Sequence, residues 1–186
     1  MDTKVQLLDS AEALARQRGF DGFSFADLEA AVGIRKASIH YHFPTKGDLS
    51  LALMTRYTDV FTDRLRNITT AHPTAGARLL ACIDLYRQAH EGGRSLCLCT
   101  AFSVTQAALP QASRDALDRF HHSVSTWLAA VFRLALSDGT IRYVTDPQAE
   151  AAAALAQVEG AQVMARAAQD PSRFEAAITT LRARAI

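Results

Sequence analysis

The stretch from Ile34 to Lys46, IRKASIHYHFPTK, concentrates side chains that can donate hydrogen bonds. Two adjacent basic residues are followed by a serine, two histidines and a tyrosine, and the segment then reaches a proline. Arginine can bind guanine through two parallel hydrogen bonds, and lysine, serine and tyrosine side chains suit phosphate oxygens. The residue types and their density indicate a short helix that reads double-stranded DNA.

A metal site is the competing chemistry for His40 and His42. Two histidines one residue apart on a helix point their rings in different directions, because only positions three or four apart share a face. No cysteine or acidic residue is placed nearby as a further ligand. The sequence also lacks a glycine-rich phosphate loop and a GxSxG motif. We therefore predict no metal, no cofactor and no enzymatic activity.

Cys97 and Cys99 lie in the segment SLCLCT and allow two interpretations. They could be small apolar core residues. Alternatively, Arg94 and a helix N-terminus near Ser95 could lower a thiol pKa and create an electrophile or oxidant sensor. The odd total of three cysteines argues against a disulfide scaffold.

Composition is that of a globular protein, with 49% hydrophobic and 21% charged residues and a net charge of +1. In a nearly neutral chain, a DNA-binding surface requires basic residues that are clustered locally. Here these residues are Arg35, Lys36 and Lys46. No apolar run approaches the ~18 residues of a membrane span and no secretory leader is visible, so we expect a cytoplasmic protein without membrane contact.

Apolar spacing is helical throughout, so we predict an all-α chain of about nine helices without strands. Capping pairs are expected at Thr3–Gln6, Ser24–Asp27 and Thr45–Asp48, and acid–proline starts at Asp146-Pro147 and Asp170-Pro171. Val5, Leu7, Leu8, Ala11, Leu14 and Ala15 are expected to form the buried face of a first helix ending at Gly19. A second predicted helix ends at Gly33. The further predicted helices span 34–43, 45–70, 74–91, 96–108, 110–136, 147–169 and 171–184.

A helix, a glycine turn and a short donor-rich helix form the helix-turn-helix pattern. The second helix would enter the major groove, with Ile34, Ile39 and Phe43 holding it to the domain. The helix N-terminus at Ser24 would suit a phosphate. The predicted DNA-binding residues are Ser24, Arg35, Lys36, Ala37, Ser38, His40, Tyr41, His42 and Lys46.

The run FSFADLEAAVGIRKASIHYHFPTKGDL, from Phe23 to Leu49, resembles the helix-turn-helix of the TetR family of transcriptional repressors. Three positions depart from the family pattern. Arg35 stands where a serine or threonine cap is usual, Ala37 replaces a frequent glycine, and His40 replaces a frequent tyrosine. These departures concern the operator sequence rather than DNA binding itself.

The resemblance implies a DNA-binding domain over residues 1–62 and a larger effector-binding and dimerisation domain over 63–186. It also implies a homodimer joined through the last two long helices, and a repressor that a small-molecule effector releases from a palindromic operator. Candidate pocket residues are Tyr86, His90, Cys97, Phe102, Gln106, Phe120, His121 and Trp127.

Two alternatives stay open. One branch of the family senses electrophiles through a cysteine-leucine pair at the start of its sixth helix, and Cys97-Leu98 resembles that pair, with Leu96 in place of the usual glycine. The other alternative is a helical small-molecule-binding protein or enzyme without a DNA-binding role.

Overall fold

The computed structural model describes residues 2–186, which form nine α-helices, two short 3₁₀ turns and no strand. The predicted all-α fold class is therefore confirmed for the described part of the chain. The helices are α1 (Thr3–Arg18), α2 (Phe25–Val32), α3 (Lys36–His42), α4 (Lys46–Ala71), α5 (Ala75–Ala89), α6 (Leu98–Val104), α7 (Gln111–Asp138), α8 (Pro147–Ala168) and α9 (Ser172–Ala183). No helix within residues 2–186 combines the length and apolar character needed to cross a membrane.

Side-chain caps form at several of the helix starts that the sequence predicts. Ser24 and Asp27 form a reciprocal capping box at α2, Thr45 and Asp48 exchange the same bonds at α4, and Asp146 caps α8 ahead of its first-turn proline. These bonds satisfy backbone N–H groups that the first helical turn leaves without partners.

One predicted helix start is wrong. The α1 cap is Asp2, whose carboxylate accepts the Lys4 N–H at 3.0 Å, so the Thr3–Gln6 box does not form. At α9 the regular helix begins at Ser172, directly after Pro171 with φ −64° and ψ −21°, and Asp170 caps this start as predicted, because its carboxylate accepts the Ser172 N–H at 2.9 Å.

The first compact unit contains residues up to Asp59 together with Leu98–Arg119. Within it, α1 packs on α2 and α6, and α2 packs on α3. Phe102 of α6 meets Phe20 edge to face with ring centroids 6.0 Å apart, and Thr105 Oγ1 accepts the Phe20 N–H at 3.3 Å. A segment distant in sequence thus holds the end of α1.

The predicted helix 96–108 is wrong in extent, because α6 covers only Leu98–Val104. Thr105 leaves helical geometry, donates its hydroxyl to the Ala101 carbonyl at 3.0 Å and accepts from Phe20. The expected burial of Val5 is also wrong, since it is 41% exposed. The buried stripe of α1 follows Leu7, Leu8, Ala11 and Ala15, and Val5 lies roughly 100° from its centre.

The second unit contains Val60–Cys97 and Phe120–Ile186. In it, α8 packs on α9 and α5. The fully buried amide of Gln162 on α8 accepts the Cys97 N–H at 2.9 Å and donates to the Tyr86 carbonyl at 2.7 Å. Both polar ends of this core side chain are therefore satisfied, as burial requires.

Candidate nucleic-acid interface

A three-residue turn joins α2 to α3 and sets the angle between the two helices. Gly33 adopts the left-handed conformation with φ 74° and ψ 27°, and its N–H donates to the Glu29 carbonyl at 2.9 Å. Glycine reaches this conformation without the steric penalty that a Cβ carries. Helix, glycine turn and second helix therefore form the helix-turn-helix arrangement that the sequence predicts.

One side of α3 is anchored and the other is open. Ile39 is fully buried and Phe43, directly after the helix, is 2% exposed, so both hold α3 against the unit. Ile34, expected to help anchor α3, is only half-buried. The exposed predicted DNA-binding residues are Ser24, Arg35, Lys36, Ala37, Ser38, His40 and Tyr41, while His42 and Lys46 are half-buried.

Tyr41 is the most exposed large aromatic side chain of this segment. It is 84% exposed, and its ring meets that of His42 edge to face at a centroid distance of 5.2 Å. Such an amphipathic side chain offers both a flat apolar surface and a hydroxyl group. Its position on α3 makes it available to a base edge or a phosphate.

The N-terminus of α3 is capped by a residue that sequence reasoning missed. Arg35 occupies the N-cap position without a side-chain cap, and instead Glu29 Oε1 accepts the Lys36 N–H at 3.2 Å. Glu29 lies in the last turn of α2, and no local signal in the sequence identifies it as a cap, because the contact depends on how α2 and α3 pack. The Arg35 side chain makes no cap hydrogen bond that DNA binding would have to break.

Ser24 and Lys46 are placed at helix starts but are already engaged within the unit. The Ser24 hydroxyl donates to Asp27 Oδ2 at 2.7 Å, and this bond is the main cause that lowers the pKa of Asp27. The Lys46 ammonium lies 4.5 Å from the Phe20 ring centroid and 4.6 Å from that of Phe23. Burial lowers the pKa of Lys46, and the nearby Asp21 and Asp27 oppose that shift.

His40 also has a structural role at the end of α3. Its Nδ1 lies 3.1 Å from the Pro44 carbonyl oxygen, and because a carbonyl only accepts, Nδ1 is the protonated nitrogen in this contact. The ring packs edge to face on Phe25 at 4.9 Å. The other nitrogen, Nε2, is left as the acceptor of the neutral ring.

The predicted pocket residues are divided between the two compact units. Tyr86 and Phe120 are core residues of the second unit and pack on Phe61, with centroid distances of 5.7 Å and 5.1 Å. Phe102 and Gln106 belong to the first unit. The remaining members lie in the second unit, where His90 and Cys97 are buried and His121 and Trp127 are half-buried.

His90 and His121 have different partners within the second unit. His90 Nδ1 accepts the Gly93 N–H at 2.9 Å, and burial lowers the pKa of the imidazole. His121 Nε2 lies 3.1 Å from Glu159 Oε1. His121 and Glu159 together offer only two ligands, and residues 2–186 contain no group of three His, Cys, Asp or Glu residues that could hold a metal ion.

All three cysteines are buried and carry thiol groups rather than disulfides. Cys97 is 1% exposed and Cys99 is fully buried. Burial raises the pKa of the Cys82 thiol to about 12, which suppresses its reactive thiolate form. The folded chain therefore holds its thiols away from solvent.

A groove of about 310 Å³ lies in the second unit between the C-terminal half of α4 and the middle of α7. We name it the α4–α7 groove. Trp127, one of the predicted pocket residues, lines it, and the Trp127 indole N–H donates to Thr69 Oγ1 at 2.9 Å. The full lining is Thr62, Leu65, Arg66, Thr69, Thr70, Ser123 and Trp127.

Comparison with known proteins identifies relatives in both parts of the chain. Residues 7–53 match the family model for bacterial regulatory proteins of the tetR family, and residues 75–181 match the tetracyclin repressor-like C-terminal domain. The HTH-type transcriptional repressor NemR of Escherichia coli strain K12 is 24% identical over 180 residues, covering 95% of this chain and 90% of NemR. The HTH-type transcriptional regulator CymR of Pseudomonas putida is 29% identical over 115 residues, which cover 62% of this chain and 53% of CymR.

The fold is also that of a solved relative. A TetR-family transcriptional regulator from Agrobacterium tumefaciens superposes with a TM-score of 0.92 at 28% identity, over 98% of this chain and 96% of that structure. The second family model alone matches more than half of the chain, and the first coincides with the helix-turn-helix built by α2 and α3. The chain therefore belongs to the TetR family of DNA-binding transcriptional regulators.

Proposed function

We propose that the protein is a repressor that binds a palindromic operator as a homodimer and leaves it when a small-molecule effector binds the second unit. The observation that carries this proposal is the exposed face of α3, which presents donors from Arg35 to Tyr41 while Ile39 and Phe43 anchor the opposite face. Such a helix can enter the major groove without rearrangement. We place this activity in the cytoplasm, where bacterial operator DNA is found.

Different residues serve different parts of the DNA contact in this proposal. Arg35 is exposed at the start of α3 and reads a guanine, while Lys36 neutralises a phosphate. Ala37 and Ser38 offer a methyl and a hydroxyl to base edges. Contacts with the DNA phosphates fix the position of the protein along the duplex. In this proposal they come from Tyr41, His40, His42, Ser24 and Lys46.

The dimer would form on the exposed faces of α8 and α9. The exposed side of α8 carries small residues, among them Ala152, Ala153, Ala156 and Gly160, followed by Met164, which is 57% exposed. A Cβ added at Gly160 would meet nothing within 4 Å in the single chain. Small residues let two helix axes approach closely, so a second copy of this face can complete the seam.

Effector action requires that the ligand bind the released state more tightly than the DNA-bound state. A coupling of roughly 1–3 kcal/mol between the two ligands is typical of such systems. In this chain α4 and α7 each run through both compact units. A ligand held between these two helices in the second unit would therefore act on helices that also build the first unit.

Transcription in vitro tests the repressor assignment. A template whose promoter overlaps the operator should lose transcript as the protein is added, with half repression at the same concentration as half occupancy of the operator. Unchanged transcription at full occupancy, or more transcript, would contradict repression. A promoter without the operator is the matched control.

Treatment with thiol reagents distinguishes this proposal from the thiol-sensing alternative. Because Cys97 and Cys99 are buried, we expect diamide and N-ethylmaleimide to leave operator binding unchanged in the folded protein. The double variant Cys97→Ser, Cys99→Ser is the test and Cys82→Ser its control. Release of wild type and Cys82→Ser, with resistance in the double variant, would establish the thiol mechanism instead.

A further inference from the structure

We propose that the α4–α7 groove binds a small aromatic carboxylic acid, with its ring against Trp127 and Leu65 and its carboxylate on Arg66. The role of such a ligand as effector rests on the proposed function, whereas the binding itself does not.

The size of the groove selects a small ligand. Its volume of about 310 Å³ is at the lower end of small-molecule sites, which span roughly 300–1,000 Å³. Leu65 gives the lining a buried apolar side chain, which is only 4% exposed. One or two fused rings fit this space, and a larger polycyclic compound would extend into solvent.

The charge of the groove selects an anion. Arg66 is the only charged residue in the lining, so the groove carries a formal charge of +1 without a lining carboxylate. Arg66 pairs with Asp63, but the two side chains are 71% and 64% exposed, and exposed pairs of this kind contribute little to stability. A guanidinium has five donors in a planar fork that matches a carboxylate, so Arg66 can bind a ligand carboxylate beside or in place of Asp63.

A short chain of hydrogen bonds fixes the aromatic surface. The Trp127 indole donates to Thr69 Oγ1 at 2.9 Å, and the Thr69 hydroxyl donates in turn to the Leu65 carbonyl at 2.9 Å. The indole thus has its one polar group satisfied inside the protein and contributes mainly apolar ring area to the groove. A ring held in place before binding loses little side-chain entropy when an aromatic ligand packs on it.

The remaining lining groups complete a site for a carboxylate. Thr62 on α4 and Ser123 on α7 both line the groove, and a hydroxyl group can donate to a carboxylate oxygen or a ring substituent. Arg66 and Thr62 come from α4, and Ser123 and Trp127 from α7. The ligand would therefore bridge the two helices that are shared between the compact units.

Trp127 is the only tryptophan of the chain, so labelling with 5-fluorotryptophan gives a single ¹⁹F resonance that reports on the groove. We would titrate the labelled full-length protein with 2-naphthoate, with the uncharged 2-naphthalenemethanol and with the non-aromatic decahydro-2-naphthoate. We expect a saturable shift with 2-naphthoate, at least fivefold weaker binding of the alcohol, and weaker binding of the saturated acid.

Two arginine variants test the assignment of the carboxylate. Arg66→Gln should weaken 2-naphthoate at least fivefold, whereas Arg64→Gln, which makes the same charge change at a neighbouring exposed position of α4, should bind as wild type does. No saturable shift with 2-naphthoate, or equal affinity of wild type and Arg66→Gln, would overturn the proposal. Affinity should also fall with salt, because the ion pair is exposed.

Operator DNA separates this proposal from the proposed function. If 2-naphthoate binds as described while no operator is found, the groove site is supported and the repressor function fails. If the protein binds an operator selectively but 2-naphthoate produces no saturable shift, the groove site is overturned and the repressor function stands.

Discussion

At the scale of single residues, the candidate interface depends on which polar side chains are already engaged within the protein. Ser24, His40 and Lys46 contribute to the structure of the first unit through Asp27, Pro44 and a pair of phenylalanine rings. Arg35 and Lys36 are exposed at the start of α3. Sequence identified all five as candidates by residue type, but their internal partners depend on how the chain folds around them.

Arg35 and Lys36 should therefore have separable effects on DNA binding. Arg35→Ala should cost ~1–3 kcal/mol and relax selectivity at one base pair, because it would remove a guanine contact. Lys36→Ala should weaken binding to all sequences about equally and reduce its salt dependence. Fluorescence anisotropy on an operator and its single-base variants measures both effects.

The control for both variants is Arg133→Ala, an exposed arginine of α7 in the second unit, which should leave affinity unchanged. If Arg35→Ala and Lys36→Ala bind as tightly as Arg133→Ala does, the assignment of these residues to the DNA contact is wrong.

His90 should make stability depend on pH above the range in which carboxylates titrate. Its Nδ1 accepts the Gly93 N–H and burial lowers the pKa of the ring below 6.5, although Glu175 opposes the shift. Between the two pKa values the unfolded chain binds the proton more readily, so this contribution is fully present above about pH 6.5 and is lost as the pH falls towards the folded pKa. The urea midpoint of wild type should thus decrease from pH 7 to pH 5.

The variant His90→Asn keeps an acceptor for Gly93 without a titrating ring and should show a flatter pH profile. His122→Asn, at an exposed position, should retain the wild-type slope. Identical slopes in wild type and His90→Asn would show that another group controls stability in this range.

At the scale of helices, local signals predicted most of the secondary structure. The capping boxes at Ser24–Asp27 and Thr45–Asp48 depend on neighbouring residues, and their bonds form as the spacing requires. The early end of α6 could not be predicted, because Thr105 is held by Phe20, 85 positions away. The cap of α3 by Glu29 likewise depends on how α2 and α3 pack.

The dimer proposal is tested best at the exposed face of α8. Glycine inside a helix costs about 1 kcal/mol relative to alanine, and Gly160 has no neighbour in the single chain that would explain its small size. Gly160→Glu should therefore fold normally but shift the protein from dimer to monomer, because it places a charge in the seam. Sedimentation velocity over a range of concentrations measures this.

A matched control is Ala130→Glu, which introduces the same charge at an exposed position of α7. It should remain dimeric. A Gly160→Glu protein that stays dimeric at the concentrations at which wild type is dimeric would place the interface elsewhere.

At the scale of the whole molecule, the compact units are not contiguous in sequence. The segment Leu98–Arg119 packs with the N-terminal helices, so the chain passes between the units within α4, between Cys97 and Leu98, and within α7. Helical periodicity does not predict this arrangement, because it depends on which faces meet after folding. The sequence also predicts that DNA binding and effector binding divide near residue 62, and that boundary between functions stays a prediction.

The most direct test of the central claim is selection of duplexes by the purified protein from a random library, followed by titration of the enriched site at several salt concentrations. We expect an inverted repeat bound by two chains, with affinity that falls as salt rises and that Arg35→Ala weakens but Arg133→Ala does not. Failure to enrich any sequence would contradict the proposal that α3 of this protein reads DNA.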